Sequence, residues 1–277
     1  MNLEMFTQIA GDLDHPEGVA RGHDGSLYAG GEAGQVYRID DGDITQIGTT
    51  GGFLFGIALD AAGNVFACDF GNAALARITP SGDVSTVSTG TPTRPMRVPN
   101  FAAFADDGSL FVTDSGTWGA DDGTIFRVRP NEATEVWSDD VPAFPNGCCL
   151  TAAGDALLVV ESRARRVVRL RLDGGKASAP ETVVELPGSQ PDGVTLAADG
   201  TMLIGCYRPD RIWRVDPDGR AEILAEDPDG VVLNQPANVA FIGPDLDRVA
   251  VSSLGGWSLM GADLDLVGLP LRYPDLG

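Results

Sequence analysis

The stretch Pro99-Asn100-Phe101-Ala102, followed by the turn Asp107-Gly108, the run Leu110-Phe111-Val112-Thr113-Asp114 and then Ile125-Phe126-Arg127-Val128, decides the fold because it recurs. Upstream it returns as Pro16-Glu17-Gly18-Val19 with Val36-Tyr37-Arg38-Ile39, and as Phe55-Gly56-Ile57-Ala58 with Leu75-Ala76-Arg77-Ile78. Downstream it returns as Pro145-Asn146-Gly147-Cys148 with Val167-Val168-Arg169-Leu170, and as Pro191-Asp192-Gly193-Val194 with Ile212-Trp213-Arg214-Val215. A last copy, Pro236-Ala237-Asn238-Val239, has lost the arginine. With Glu17 as reference the equivalent positions are 55, 100, 146, 192 and 237, in steps of 38, 45, 46, 46 and 45. A period of this length, in short β-branched or aromatic runs bounded by turn residues and without helical periodicity, belongs to all-β units.

A fourth strand follows the arginine-bearing one in five copies: Ile44–Gly48, Val84–Val87, Thr134–Trp137, Thr182–Glu185 and Ala221–Leu224. Four strands per unit make a propeller blade. Phe6-Thr7-Gln8-Ile9-Ala10-Gly11 copies Ile44-Thr45-Gln46-Ile47-Gly48-Thr49 with no blade in front of it. It is therefore expected to be the missing outer strand of the sixth blade, closing the ring and hiding edges that would otherwise pair with other chains. Residues 1–277 are predicted to form one domain, an all-β six-bladed β-propeller.

Composition removes several function classes. With 19 basic and 40 acidic side chains the net charge is −21, which repels phosphate backbones and anionic headgroups. Arg163, Arg165, Arg166, Arg169 and Arg171 alternate with Val and Leu like a half-exposed strand, so neither a nucleic-acid nor a membrane partner is expected. No apolar run approaches the ~20 residues of a spanning helix, and Met1–Gly11 lacks the pattern of a secretory signal. A cytoplasmic location follows as an expectation. Cys68, Cys148, Cys149 and Cys206 show no zinc spacing, and His15 and His23 are the only histidines, so a serine-hydrolase triad has little to build on. The cysteines read as reduced, buried apolar fillers, Cys148 included.

In a propeller the innermost strand of each blade lines the axis. The reference positions carry Glu17, Phe55, Asn100, Asn146, Asp192 and Ala237, above an apolar layer of Val19, Ile57, Ala102, Cys148, Val194 and Val239. Each polar residue of the upper layer, taken alone, also reads as a turn residue bonding to its own backbone. Their coincidence at one repeat position in four of six copies favours a shared site. Unpaired acids and amides in a channel cost several kcal/mol each, and one cation would satisfy all of them. Two carboxylates and two carboxamides suit a hard divalent ion: Ca²⁺ first, with Mg²⁺ or Mn²⁺ as alternatives and Zn²⁺ fitting less well. Asp114 and Glu161, which end second strands, are expected to bond to backbone amides instead.

These motifs resemble the senescence marker protein/gluconolactonase/luciferin-regenerating enzyme family, and the similarity spans essentially the whole chain. The resemblance implies a six-bladed propeller and, in many members, a lactonase with one divalent cation on the axis. It implies Glu17, Asn146 and Asp192 as ligands and Asn100 as a further ligand or substrate contact, as in the related diisopropyl fluorophosphatase with its Glu, Asn, Asn, Asp calcium site. The family often has Asn-Asp where this chain has Asn100-Phe101. Its sugar lactonases place an arginine where this chain has Val98, with Arg97 one step off.

The leading expectation is metal-assisted opening of a lactone, with Asp192 as general base and the cation polarising the carbonyl. Loops on the same face supply Phe55, Phe101, Trp118, Phe144, Tyr207 and Arg97 as substrate contacts beside Asn100. The wall is aromatic, which favours an aryl or alkyl lactone over a sugar lactone, while Arg94, Arg97 and Arg208 remain able to hold a carboxylate or hydroxyls. Two other readings stay open: a phosphotriesterase or fluorophosphatase at the same site, and a non-catalytic ligand-binding propeller. Alkaloid-condensing synthases share the architecture without metal, and the retained Glu, Asn, Asp set argues against that branch. A small-molecule substrate and a monomer or weak homodimer complete the expectation.

Overall fold

The computed structural model describes residues 3–131, 133–173 and 175–277. After a 3-10 turn at Leu3–Met5 and strand β1 (Thr7–Ala10), blade one holds β2 (Val19–Arg21), β3 (Leu27–Gly30), β4 (Gln35–Asp40) and β5 (Asp43–Thr49). Blade two follows as β6 (Leu54–Leu59), β7 (Val65–Asp69), β8 (Ala74–Ile78) and β9 (Val84–Ser88). Blade three holds β10 (Pro99–Phe104), β11 (Leu110–Asp114), β12 (Thr124–Val128) and β13 (Thr134–Ser138). Blade four contains β14 (Pro145–Leu150), β15 (Ala156–Glu161), β16 (Arg166–Asp173), β17 (Lys176–Ala177) and β18 (Glu181–Glu185). Blade five is β19 (Gln190–Leu196), β20 (Met202–Arg208), β21 (Asp210–Val215) and β22 (Ala221–Glu226), and β23 (Pro236–Ile242), β24 (Arg248–Ser253) and β25 (Ser258–Asp263) open blade six. The six antiparallel sheets formed by the described residues are those blades, with β1 the outer strand of the sixth. No helix among the described residues is long and apolar enough to cross a membrane.

Ring closure follows the expectation: Thr7 pairs with Gly261, Gln8 with Met260 and, after a bulge, Ala10 with Leu259. Phe6 is buried among Leu203, Ile212, Val249 and Met260, between blades five and six. Each neighbouring pair of blades encloses one apolar cluster, so the core is divided into six interfaces rather than gathered at one centre. That division explains the near-continuous apolar second strands. β7, β11 and β15 are buried along their whole length because both faces meet a neighbouring blade, whereas the outer strand β5 is largely exposed. Blade four carries one strand more than the repeat foretells, since β16 continues past its partner β18 to pair Leu172 with Ala177.

The repeat arginines of blades one and three pair with acids of their own blade. Arg38 meets Asp24 at 2.9 Å and Asp40 at 2.8 Å, and Arg127 pairs with Asp107 of the same blade's turn. The segment after β25 leaves the repeat and crosses one mouth of the ring. Leu269 N–H donates to Leu196 O (2.8 Å), Arg272 to Asp106 (2.6 Å) and Thr151 O (3.0 Å), Tyr273 OH to Arg21 O (2.7 Å), and Ala61 N–H to Pro274 O (3.0 Å). This strap touches five blades, and above it lies an apolar cavity of about 130 Å³ lined by Val19, Ile57, Ala102, Cys148, Val194 and Val239. The second layer read from the sequence is thus the floor between that cavity and the polar layer.

Candidate functional site

The reference residues sit where the inner strands break register. Between Pro99 and Phe101, Leu54 and Ile57, Pro145 and Cys148, Pro191 and Val194, and Pro236 and Val239, the ladder skips the residues in between. Asn100, Asn146 and Asp192 are therefore bulge residues, and a bulge re-aims a side chain that regular pairing would fix elsewhere. Glu17 occupies the corresponding place just ahead of β2. Glycine often follows because neighbouring inner strands approach closely there. A Cβ at Gly147 would lie 2.6 Å from Asp192 O, and one at Gly18 would lie 2.2 Å from Phe55 O.

Hydroxyls on second strands or just beyond them hold the backbone at or next to the ligand residues. Thr113 Oγ1 donates to Asn146 O (2.8 Å), Ser115 Oγ to Pro145 O (2.7 Å) and Ser252 Oγ to Glu17 O (2.7 Å). Asn146 Nδ2 donates to Ser162 Oγ (3.1 Å), which fixes the amide so that Oδ1 is the end left over. Glu17, Asn100, Asn146 and Asp192 are 5%, 3%, 3% and 5% exposed, yet Glu17 Oε2, Asn100 Oδ1, Asn146 Oδ1 and Asp192 Oδ1 have no hydrogen-bond partner. Four buried, orphaned oxygens at the same repeat position of four inner strands fit a hard divalent cation, since the set contains no sulfur or imidazole.

Electrostatics point the same way. Burial and the neighbouring Asp192 push the Glu17 carboxyl well above its usual range. Burial pushes Asp192 up to about 7, against the opposing pull of the Asn146 amide. The folded chain thus binds more protons here than the unfolded chain does. In cation-stripped protein this pair favours folding less as pH rises from about 4, the unfolded value, through the raised folded values. A bound cation favours both charged forms and reverses the trend. Melting temperatures measured from pH 5 to 8, with chelator and with calcium, should diverge increasingly toward alkaline pH. Parallel curves would show that the pair does not face a cation.

The neighbouring residues divide. Asp114 accepts from Arg97 N (2.6 Å), Val98 N (3.2 Å) and Gly116 N (3.1 Å), and Glu161 from Ala143 N (3.0 Å) and Arg166 Nε (2.6 Å), so both bond to loops and strands as expected. Burial raises the Cys68, Cys148 and Cys206 thiols and pushes Cys149 up to about 12, which leaves no thiolate nucleophile among them. Tyr207 is pushed up to about 12 by burial and by the nearby Asp192. Phe55 stacks on Phe70 (5.2 Å between ring centres) and meets Phe53 edge-on (4.9 Å); Trp118 meets Phe144 at 4.8 Å. Phe70 was not legible as a wall residue because it lies in the turn after β7, outside the repeat's inner strand.

Two expected contacts sit differently. Phe101 packs with Ala103 against the Phe111 and Trp137 cluster and lines the cavity above the strap, because its backbone N–H is tied to Thr113 Oγ1 (3.0 Å). Arg97 is bound to Asp122, at 2.8 Å to the carboxylate and 3.2 Å to the carbonyl. Arg94 is likewise held by Asp122 O (2.7 Å) and Thr124. At the rim, His15 Nδ1 lies 2.7 Å from Glu32 and its ring 4.6 Å from Trp257.

Comparison with known proteins follows the geometry. A model described as the SMP-30/Gluconolactonase/LRE-like region matches residues 87–255, and a strictosidine synthase-like N-terminal model matches residues 2–39. A pentonolactonase from Haloferax volcanii is 28% identical over 246 residues, covering 86% of this chain and 67% of its own length. The chain spans between 35% and 67% of the length of the curated relatives it matches. Among solved structures, the gluconolactonase XC5397 of Xanthomonas campestris superposes with a TM-score of 0.80 at 18% identity, over 94% of this chain and 89% of that one. A calcium-binding protein, regucalcin, from Agrobacterium tumefaciens gives 0.77 at 16% identity, over 96% and 98%. At these identities the superpositions show the fold alone.

Proposed function

The chain belongs to the SMP-30/Gluconolactonase/LRE-like family, and from that premise we propose that it is a divalent-cation-dependent hydrolase that opens a lactone. The observation that carries the reading is the set of four buried, partnerless oxygens on Glu17, Asn100, Asn146 and Asp192. These residues would hold the cation, calcium first by the chemistry of the donors and by the calcium-binding neighbour. Bound there, the cation supplies polarisation of the ester carbonyl and stabilises the charge that develops on its oxygen. Asp192 takes the proton of the attacking water and returns it to the ring oxygen as the acyl C–O bond breaks. Tyr207, beside Asp192, bounds the space for the acyl group.

The substrate is a small molecule with an apolar portion, taken up by a monomer or weak homodimer. Phe53, Phe55 and Phe70 on one side, with Trp118 and Phe144, offer aromatic surface. Arg94 and Arg97 are already committed to Asp122 and its surroundings, so they favour an aryl or alkyl lactone over a polyhydroxylated one. The test pairs elemental analysis of dialysed protein with hydrolysis of aliphatic, aryl and sugar lactones before and after chelation. We expect about one divalent ion per chain and turnover that chelator abolishes and added calcium restores. Protein without an ion and with activity indifferent to chelation would overturn the reading.

A further inference from the structure

Among the described residues, the buried side-chain oxygens without a hydrogen-bond partner belong to the four candidate ligands and to one further residue, Asn238. Asn238 is 1% exposed and lies in the bulge that interrupts the inner strand of blade six, one step past the reference position Ala237. Its amide is oriented without ambiguity. Nδ2 donates to Glu17 O (3.0 Å) and the backbone N–H to Ser252 Oγ (2.8 Å), so Oδ1 is the unpaired end. On the other side that oxygen lies against Gly193, where a Cβ would come within 1.9 Å of it. The side chain therefore spans from the backbone of Gly193, the residue after Asp192, to the backbone carbonyl of Glu17.

Packing alone does not call for this residue. The equivalent place in four other blades is glycine, at Gly18, Gly56, Gly147 and Gly193. An asparagine whose oxygen stays dry and unpaired costs about 1–3 kcal/mol relative to a satisfied one. We infer that Asn238 is a fifth oxygen donor of the axial site, facing the same cation between Asp192 and Glu17. The inference rests on the cation reading above and adds a residue to it. A hard ion such as Ca²⁺ takes 6–8 oxygens, so four protein donors leave room for another.

The experiment measures calcium affinity of the cation-stripped, full-length protein by calorimetry for wild type, N238A, N238D and S252A, with the melting temperature of the stripped proteins as a folding control. N238A removes the oxygen and the donor to Glu17 O together; S252A removes the other donor to that carbonyl and the acceptor of the Asn238 backbone N–H but keeps the amide oxygen; N238D keeps an oxygen and loses the donor. N238A should weaken calcium binding about tenfold or more, beyond S252A, while N238D binds as tightly as wild type or tighter. An N238A protein that binds no more weakly than S252A, or an N238D protein as weak as N238A, overturns the inference and leaves the cation site standing. Wild-type protein that binds no calcium overturns both. If N238A does not fold, N238D decides: affinity equal to or above wild type supports the fifth oxygen, and weaker binding overturns it.

Discussion

Asp192→Asn is expected to leave a folded ring and to lower kcat by roughly 10²–10⁴-fold at saturating calcium, the range that loss of a positioned general base produces. The substitution keeps the shape of the side chain and an oxygen that can still face a cation, and it removes the carboxylate assigned to proton transfer while leaving Glu17 as the remaining acid of the ligand set. Burial of Asp192, against the opposing pull of the Asn146 amide, pushes the metal-free carboxyl up to about 7. A calcium ion in contact favours the charged form and draws that value down. The acidic limb of the wild-type kcat profile should therefore fall below pH 7 in calcium-loaded enzyme, and the residual activity of Asp192→Asn should lack that limb. Saturating calcium matters because the variant also loses a charge from the ligand set, and weaker binding alone would mimic a lost base at low calcium. Wild-type kcat in the saturated variant would remove Asp192 from proton transfer and leave it a ligand only.

The candidate ligands were legible because a repeat protein states its design several times over. Glu17, Asn100, Asn146 and Asp192 stand out as the polar departures at a position that elsewhere holds Phe55 and Ala237. Their convergence is a property of the bulges. The pairing skips from Pro191 to Val194, and nothing in the alternation of the strand announces it, because alternation describes the regular ladder that a bulge interrupts. Asn238 was missed for the same reason: aligned by period it is one residue off the reference, yet the bulge frees both residues of the pair. Arg97 looked available because its partner Asp122 lies 25 positions on, in a loop outside the repeat. The strap from Leu269 to Pro274 carries no periodic signal at all, so the closing of the lower mouth became visible only in three dimensions. Local patterns fixed the blades and the ring; contacts between loops of different blades set the wall of the site.

Deleting residues 1–10 should lower the melting temperature by about 15 °C or more and expose the outer edge of β25. Phe6 is buried between blades five and six, and truncating such a side chain to alanine costs about 3–5 kcal/mol on its own. At about 2–4 °C per kcal/mol in a chain of this size, Phe6→Ala should cost on the order of 10 °C. Deletion also removes Ala10, buried in the cluster between blades six and one, and Ile9, which packs against it. An edge strand in most sheets can be trimmed at modest cost because its loss leaves the remaining strands in place. Here β1 pairs into the last blade and carries side chains into both neighbouring clusters, so its loss opens the interface on both sides of blade six. Gln8→Ala is the control: Gln8 is exposed, and its replacement should stay within about ±0.5 kcal/mol. The consequence reaches the site, because Glu17 O is held by Asn238 and Ser252 of blade six, across the seam that β1 closes. Calcium affinity should therefore fall together with stability in the deletion and be restored, at least in part, by a peptide of residues 1–10 added in trans, which can pair with the free edge. An unchanged melting temperature in the deletion would show that the ring closes without this strand.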